Sequence, residues 1–339
     1  MYHPPILFGI NCILNMSMSS MVGGDAEGGR GPPGGPPRVL LLDIDGTLVG
    51  KVNAAVCEYE LTRIATGGKK KKNGSGQDNT KNNGAGTTSC KAAKDALVCR
   101  LRYGIIRPHV LAFCKHMQLT AENTELFIYT ASDCEWAAFF VPCIEAALGV
   151  KFNRPVFSRK HCINIAPSGD SQPDYRKSIA KVAPAIYGRL RKKHGLKSVY
   201  DLNDSIVLID NTPGVMLDTA ENSKLVVCPT YAYTYWYDVL AFVDVNFLHR
   251  NFARTIPTLV RVGLFPSGVH VASYQQFATV FYSRLAKAMS ENTASNTAIL
   301  QRDTFWARLL QAMASPRART LDAATVRNIG AAVHRQRPS

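Results

Sequence analysis

The feature that most constrains the fold of this chain is an apolar run, Val39 to Leu42, that ends in two aspartates. Asp43 and Asp45 are separated by one residue and are followed by Gly46 and a threonine. Because side chains alternate along an extended chain, the two carboxylates should point the same way where the strand ends. Two carboxylates this close repel each other and must share a cation or a proton. The pattern therefore predicts a metal-binding, phosphoryl-transfer site at the rim of a sheet, and Gly46 leaves room there for a ligand.

Composition narrows the class of protein. The chain has 339 residues, of which 46% are hydrophobic and 19% charged, so most of it should be globular. The formal net charge of +15 favours an acidic partner, such as a phosphorylated protein, nucleic acid or an anionic surface. Nine cysteines without CxxC spacing argue against a disulfide framework and predict an intracellular protein, cytoplasmic or nuclear and not secreted. No apolar run has the length of a membrane span, so no membrane partner is expected.

Composition also divides the chain into segments. Residues 1–37 are predicted to be a disordered N-terminal extension, since 17–37 are rich in glycine and proline and the moderately apolar stretch before them lacks the features of a signal peptide. The predicted catalytic domain covers 38–250 and carries a low-complexity insertion at about 65–93, either a solvated loop or a basic arm that catches an anion. A helical extension is predicted at 251–316 and a basic tail at 317–339. Residues 246–339 hold 12 Lys and Arg against 3 Asp and Glu, a net of +9 (12 − 3), so a loose tail with an acidic or nucleic-acid partner is one hypothesis.

Apolar strands that alternate with helical patterns predict an α/β fold, in which a parallel sheet has helices on both faces. After the first strand, further strands are predicted at Glu125–Tyr129, Ile206–Ile209 and Leu225–Val227. Three helices are predicted among them: one opened by Ile105–Pro108, one capped by Ser132 or Asp133 that runs to about Ala147, and one from Asp174 to Lys193. Two C-terminal helices are predicted at 270–290 and 298–314.

Three of these strands end in polar residues suited to phosphoryl transfer. Because ligands bind beyond the carboxyl ends of parallel strands, Asp43, Asp45, Thr130 and the pair Asp210 and Asn211 should meet at one sheet edge. Asp43 can act as the nucleophile and Asp45 as the acid and base. The Asp43 carboxylate and the Asn211 amide supply oxygen ligands suited to Mg²⁺.

The phosphate would need an anion clamp. Thr130 offers a hydroxyl, and its neighbours, Ala131 among them, offer backbone N–H groups at a helix start. A cation should complete the clamp, and the candidates are Lys177 and Lys181 on the helix before the third strand. Of the two lysines, Lys177 is the favoured phosphate-binding cation because of its position among the predicted site residues.

The first motif resembles that of the haloacid dehalogenase superfamily, in the Asp-x-Asp-Gly-Thr form of its phosphatases. The chain as a whole resembles the branch that includes the NLI-interacting-factor proteins and the phosphatases of the RNA polymerase II C-terminal domain. The similar segments are Arg107-Pro108 with Phe113, Tyr129-Thr130-Ala131-Ser132, Phe157-Ser158-Arg159, Tyr175-Arg176-Lys177-Ser178-Ile179, Ile209-Asp210-Asn211-Thr212-Pro213, and Trp236-Tyr237-Asp238 with Phe247-Leu248.

The resemblance implies a Rossmann-like, dehalogenase-like fold without a large cap domain, and Mg²⁺ as the cofactor. It also implies roles for individual residues. By this likeness the catalytic residues are Asp43 and Asp45, the phosphate binders Thr130, Ala131 and Lys177, and the metal ligands Asp43, Asp45, Asp210 and Asn211.

Departures from the family pattern bear on the substrate. Gly46 stands where the polymerase-tail enzymes usually carry Glu, His109 replaces a Gly, and Ser178 replaces an Asp. The sequence predicts a Mg²⁺-dependent phosphomonoesterase that forms an aspartyl phosphate. The favoured activity is that of a protein serine/threonine phosphatase, with a phosphoprotein as the substrate. The alternatives are a phosphatase of nucleic-acid ends or nucleotides, and a non-catalytic binding or scaffold protein on the same fold.

Overall fold

A parallel sheet forms the centre of the computed structural model, which describes residues 36–50, 94–95, 97–119, 123–166, 173–234, 245–261, 263–315, 318 and 320–334. Five strands lie in the order β3-β2-β1-β6-β7, and every neighbouring pair is parallel. A separate antiparallel pair joins β4 to β5. The strands are β1 Arg38–Leu42, β2 Thr124–Tyr129, β3 Asn153–Phe157, β4 Ile163–Asn164, β5 Tyr175–Arg176, β6 Ile206–Asp210 and β7 Leu225–Val227.

Seven helices of ten residues or more are present in the described part of the chain. They are α1 Val110–Leu119, α2 Cys134–Leu148, α3 Ile179–His194, α4 Val245–Arg261, α5 Tyr274–Arg302, α6 Phe305–Ala314 and α7 Ala323–His334.

The sheet separates two apolar cores, and alternate residues of β1 enter opposite ones. Leu40 and Leu42 face a core that includes side chains of α1, α2, α6 and α7. Val39 and Leu41 face a second core, which includes side chains of α3. Helices therefore pack on both faces of the sheet, and the predicted α/β fold is confirmed. The apolar run of β1 has the same cause, since a strand that is buried on both sides must be apolar at every position. The central place of β1 puts Asp43 between the ends of β2 and β6.

Three strands were not predicted, namely β3, β4 and β5, and of these only β3 lies in the main sheet. The strand β3 contains Arg154-Pro155, and proline disrupts the pattern of a central strand because it cannot donate to the ladder. In the structure β3 is an edge strand that pairs with β2 alone, a position where proline is tolerated.

The predicted helix at Asp174–Lys193 is wrong at its start. The helix α3 begins at Ile179, because the Ser178 side chain caps the Lys181 N–H, and Tyr175–Arg176 belong to β5 instead. Lys177 consequently lies before the helix rather than on it, in a bridge to Met216.

Other helix boundaries also differ from the predictions. The helix expected to open at Ile105–Pro108 begins at Val110, after His109 with a φ of 67°, a value that residues other than glycine rarely adopt. Asp133 is confirmed as the cap of α2, where it accepts from the Trp136 N–H at 2.7 Å. The first C-terminal helix was predicted to end at about residue 290, but α5 continues without a break from Tyr274 to Arg302.

The prediction of a loose basic tail is wrong for residues 323–334. These residues form α7, and Val326, Ile329 and Val333 are buried in the same core as Leu40. The helix also reaches the sheet, where the His334 ring nitrogen lies 2.8 Å from the Val227 carbonyl oxygen.

Several predictions lie outside the described residues. These are the disordered extension at 1–37, apart from its last two residues, the insertion at about 65–93, the segment Trp236-Tyr237-Asp238, and residues 316–317, 319 and 335–339 of the C-terminal region. The remaining domain boundaries stay predictions. None of the helices within the described ranges is both long and apolar enough to cross a membrane.

Candidate active site

The site is built at the carboxyl edge of the sheet, directly after β1. Asp43 is buried and its backbone N–H bonds the Ile209 carbonyl at 3.0 Å, which fixes it beside β6. Asp45 follows in a tight turn, and Gly46 has a φ of 77° that favours glycine. A Cβ on Gly46 would lie 2.7 Å from Asn211 Nδ2, so the glycine keeps open the space between the two segments.

Lys177 joins three strand ends. Its ammonium lies 2.7 Å from Asp43 Oδ1, 2.6 Å from Asp210 Oδ2 and 2.6 Å from the Tyr129 carbonyl oxygen. Because an ammonium has three donors, these three acceptors satisfy it fully. The side chain is only 1% exposed, which excludes the solvated position usual for a lysine. Of the two candidate lysines, Lys181 instead donates to the Cys162 carbonyl at 2.8 Å.

Asp45 is held from the neighbouring strand end. Its Oδ2 accepts from the Ser132 hydroxyl at 2.7 Å, while Oδ1 is buried without a hydrogen-bond partner among the described residues. The Ser132 backbone N–H in turn bonds the Thr130 hydroxyl at 3.1 Å. Thr130 and Ala131 therefore lie at the same edge as the two carboxylates, beside the start of α2. Whether they bind phosphate stays a prediction.

Asn211 lies across the turn from Asp45. Its Oδ1 accepts from the Thr47 hydroxyl and its Nδ2 donates to the Thr230 hydroxyl, both at 3.2 Å. Asp210 is different, because Oδ2 binds Lys177 and Oδ1 accepts from the Thr212 N–H at 2.8 Å. Both of its carboxylate oxygens already have protein partners.

Burial and neighbouring charges shift the titration of the site. Burial, opposed by Lys177 and reinforced by the Asp210 and Asp45 carboxylates, raises the pKa of Asp43 to about 7. Burial also raises the pKa of Asp45, against the hydrogen bond from Ser132. For Lys177 burial disfavours the charge, but Asp43 and Asp210 outweigh it and raise its pKa. The ammonium stays charged, and Asp45 can carry a proton at higher pH than an ordinary aspartate.

The donor chemistry fits a small hard cation. Asp43 and Asp45 supply carboxylate oxygens and Asn211 an amide oxygen, the ligand types that Mg²⁺ prefers. The unpartnered Oδ1 of Asp45 and the space preserved by Gly46 are consistent with a ligand between these groups. No cluster of three or more His, Cys, Asp or Glu side chains that could hold a metal occurs in the described ranges, so an amide, backbone or water oxygen would have to complete the shell.

Sequence reasoning missed several supporting residues. Ser132 and Thr230 were not named as site residues, although Ser132 stands only two residues after Thr130 on the same strand end. The Thr47 carbonyl accepts from Trp306 Nε1 at 3.2 Å, a contact between segments 259 residues apart. No local sequence signal could have indicated it.

Comparison with known proteins identifies the family. Residues 38–235 match the family of NLI interacting factor-like phosphatases. The match covers more than half of the chain, and the chain belongs to this family. Comparison with curated protein sequences finds no match.

Two solved structures are similar to this chain. The structure of Fcp1, an essential RNA polymerase II CTD phosphatase, is 16% identical over 75% of this chain and 64% of that chain, with a TM-score of 0.27. A variant of the fission yeast RNA polymerase II CTD phosphatase Fcp1 bound to beryllium fluoride is 14% identical over 78% of this chain and 67% of that chain, with a TM-score of 0.26. The chain thus spans under two thirds of the first of these proteins, and the family assignment rests on the match at 38–235.

Proposed function

We propose that this protein is a Mg²⁺-dependent phosphomonoesterase that works through an aspartyl phosphate. The observation that carries the proposal is the position of Asp43, a buried carboxylate held by the Lys177 ammonium at 2.7 Å, with Asp45 two residues further on at the same edge. A fixed nucleophile, a nearby acid and a buried cation are the groups that transfer of a phosphoryl group requires.

The first step is attack on the substrate phosphorus. The Asp43 carboxylate oxygen forms a bond to phosphorus while the bond to the leaving oxygen breaks. Asp45 gives its proton to that leaving oxygen, which departs as an alcohol. The Thr130 hydroxyl and the backbone N–H groups at the start of α2 would bind the phosphoryl oxygens, while the Lys177 ammonium, whose three donors are occupied, would stabilise their charge as it redistributes.

The second step reverses these roles. Asp45 takes a proton from water, whose oxygen bonds to phosphorus as the bond to Asp43 breaks. Phosphate leaves and Asp43 is restored. The raised pKa of Asp45 suits a group that must donate a proton in one step and accept one in the other.

For the metal we propose Asp43 and Asn211 as the main holding residues. Asp45, also predicted above as a ligand, must carry the transferred proton, and a protonated carboxyl is a poor ligand for Mg²⁺. Mg²⁺ bound there would neutralise charge on the phosphoryl group. We assign Asp210, predicted above as a ligand, to orienting Lys177 instead, because both of its oxygens are occupied by Lys177 and Thr212.

The proposed substrate is phosphoserine or phosphothreonine in a protein, within the cell. Two observations support a protein substrate. The chain belongs to the NLI interacting factor-like phosphatases, a family named for a protein partner. Its net charge of +15 would also attract a phosphorylated and therefore acidic chain. A phosphatase of nucleic-acid ends would instead prefer 3′- or 5′-phosphorylated oligonucleotides, and a scaffold protein would show no turnover.

The test is turnover of an aryl phosphate with and without Mg²⁺, in the wild type and in Asp43→Asn. The variant removes the nucleophile and a metal ligand while keeping the side-chain shape, so activity should fall by at least about a thousandfold, roughly 4 kcal/mol of barrier. Circular dichroism should show the same fold. The control is Asp204→Asn, an exposed carboxylate at the opposite end of β6, which should retain full activity. Near-wild-type, Mg²⁺-dependent turnover by folded Asp43→Asn would contradict the mechanism.

A further inference from the structure

The end of α3 carries a concentration of positive charge. Residues 179–198 contain six Lys and Arg side chains and no Asp or Glu. All six are exposed, and they are Lys181, Arg189, Arg191, Lys192, Lys193 and Lys197. Positive charge of one sign on a surface attracts polyanions.

Four of the six have no partner for their charge. Lys181 donates to the Cys162 carbonyl, and Lys193 donates to Glu125. The other four make no ion pair with any residue in the described ranges, and they are Arg189, Arg191, Lys192 and Lys197. We call these four residues the α3 basic surface.

Stabilisation of the helix itself does not account for the α3 basic surface. Cations in the last turn of a helix stabilise its negative end, and Lys193 already supplies one there. Arg189 lies before the last turn and Lys197 lies beyond the end of the helix, where this effect falls off. The concentration of charge therefore points to an external anion.

The chain folds back at the end of α3 and brings Lys197 beside the helix. Gly195 ends the helix with a φ of 64°, a left-handed conformation that favours glycine. The Tyr187 hydroxyl then donates to the Lys197 carbonyl oxygen at 3.0 Å. Because Arg191 follows Tyr187 by four residues, these two lie on one face of α3, next to Lys197. Cations distant by six residues in sequence thus share one surface.

An exposed aromatic ring adjoins the α3 basic surface. Tyr200 lies in a short 3-10 turn, Val199–Leu202, three residues after Lys197, and it is 75% exposed. It is the only exposed Phe, Tyr or Trp side chain in the described part of the chain. The nearby Asp201 carboxylate accepts from the backbone N–H groups of Lys197 and Ser198, at 2.7 and 3.0 Å, and forms no ion pair with the cations.

We propose that the α3 basic surface and Tyr200 bind single-stranded nucleic acid, with phosphates on the four cations and a base stacked on the tyrosine ring. Single-strand binding sites combine these two features, a basic track for the backbone and an aromatic platform for a base. An acidic peptide would use the cations alone, and a duplex keeps its bases stacked on one another. The exposed ring beside unpaired cations therefore favours a single strand.

The proposed nucleic-acid surface is separate from the candidate active site. Lys177 stands just before α3, whereas Arg191 lies twelve residues beyond Ile179, about 18 Å further along the helix. A bound strand would leave the active site open. The inference is consequently independent of the proposed phosphatase activity.

The experiment measures fluorescence anisotropy of labelled strands of about twelve nucleotides, as RNA, as DNA and as a DNA duplex, at about 50 and 200 mM salt. Four phosphate contacts should weaken single-strand binding about 50-fold between the two salt concentrations. The double variant Arg191→Gln/Lys192→Gln should bind more weakly at low salt and should reduce that salt dependence to about sevenfold, since two contacts remain. The matched control, Arg254→Gln/Arg284→Gln, removes two exposed arginines of α4 and α5 and should keep the wild-type affinity.

Tyr200 is tested by substitutions that leave every charge in place. Tyr200→Ala should weaken binding of the single strands about tenfold at both salt concentrations, the effect of losing one stacked base, while Tyr200→Phe should keep the wild-type affinity. Binding of the duplex should be the same in Tyr200→Ala as in the wild type. Comparison of RNA with DNA shows which strand the surface prefers, and a preference for either supports the inference if Tyr200→Ala weakens that strand.

Equal losses in the two double variants, or unchanged single-strand binding in Tyr200→Ala, would overturn the inference. So would an acidic peptide that binds more tightly than either strand and loses binding in Arg191→Gln/Lys192→Gln. Turnover of an aryl phosphate should be the same in all of these variants as in the wild type. A protein that binds the strands as described but hydrolyses nothing would contradict the proposed function and still support the nucleic-acid surface.

Discussion

Lys177 shows what the site demands of a single residue. Burying an ammonium is costly unless it is paired and hydrogen-bonded, and here two carboxylates and a carbonyl supply all three acceptors. The arrangement holds Asp43 in one orientation and keeps a positive charge where phosphoryl oxygens would lie. Breaking such a buried pair by removing one partner typically costs about 3–5 kcal/mol, so Lys177 contributes to folding as well as to the site.

Asp45→Asn should separate the two chemical steps of the proposed mechanism. The nucleophile survives in this variant, but the leaving oxygen loses its proton donor. We expect a loss of at least about a hundredfold on a phosphoserine peptide, whose alcohol leaves poorly, and a much smaller loss on an activated aryl phosphate. The measurement is kcat on both substrates, with single-turnover kinetics to detect accumulation of the aspartyl phosphate.

The control for this variant is Ser132→Ala, which removes only the hydrogen bond to Asp45 Oδ2. It should show the same pattern of substrate dependence with smaller losses, since the carboxyl group stays in place. Equal losses on both substrates in Asp45→Asn would count against Asp45 as the acid.

At the scale of elements, the helices α6 and α7 belong to the core on one face of the sheet, whereas α4 and the first half of α5 form an apolar cluster of their own. Trp306 of α6 is fully buried beneath the sheet and its indole N–H bonds the Thr47 carbonyl, in the turn after Asp45. Arg38 at the start of β1 donates to the carbonyls of Met313 and Ala318 at 3.1 and 2.9 Å. The extension therefore secures β1 at both of its ends.

A pair of substitutions in α7 tests this directly. Ile329→Ala removes side-chain atoms from a core position that is 4% exposed, so it should lower the free energy of unfolding by about 2–5 kcal/mol. Arg327→Ala removes an exposed positive charge two residues earlier and should change stability by less than about 0.5 kcal/mol. Urea unfolding measures both. A solvated tail would give equally small changes for the two variants.

The sequence predicted the elements with strong local patterns. The strands β1, β2, β6 and β7 are continuous apolar runs, and Asp133 is a recognisable cap. The helix α7 was missed because it is rich in alanine and lies in a tail with five arginines and little apolar bulk, although Val326, Ile329 and Val333 have helical spacing. The strand β3 was missed because of Pro155. Local patterns thus failed where an edge position or a distant packing partner decides the structure.

The same limit applied to the site. Asp43, Asp45, Thr130 and Asn211 could be predicted because each ends a strand of one parallel sheet, and such ends must meet. Lys177 was named as the favoured cation, although its bonds to Asp43 and Asp210 were not foreseen. Thr230 and Trp306 could not be predicted, because they reach the site from an irregular segment and from a helix distant in sequence. Proximity of this kind is set by packing of the whole molecule rather than by any local pattern.

For the molecule as a whole, two buried glutamates connect the layers of the fold. Glu125 on β2 accepts from Lys193 at 2.5 Å and from His194 at 2.7 Å, both at the end of α3. Glu145 on α2 accepts from both terminal nitrogens of Arg154 on β3 at 2.9 Å. One glutamate thus joins the sheet to the helix on one face, and the other joins it to the helix on the opposite face.

These contacts should make the protein sensitive to acid in a defined range. Burial alone would raise the pKa of Glu125 and of Glu145. Several interactions together outweigh burial and lower both pKa values below the ordinary 4.5: hydrogen bonds from Lys193, His194 and Asn153 to Glu125, and hydrogen bonds from Arg154 and the Phe152 N–H to Glu145. A carboxyl whose pKa is lower in the folded state stabilises the fold above its unfolded pKa, and this contribution is lost as the pH falls through the folded pKa. Stability should therefore be constant near pH 5 to 6 with respect to these groups and decline below pH 4.5. Asp43, with a pKa of about 7, titrates above this range.

Urea unfolding between pH 3 and 6 tests the acid dependence. In Glu125→Gln and in Glu145→Gln the decline below pH 4.5 should be shallower than in the wild type, because each variant lacks a carboxyl that must be protonated. Both should also be less stable at pH 6, where the charge-assisted hydrogen bonds are lost. The control is Glu291→Gln, an exposed glutamate paired with Lys287 at 3.6 Å, which should keep the wild-type slope. If both buried variants decline as steeply as the wild type, the acid sensitivity arises elsewhere and the two glutamates do not couple the layers through their charge.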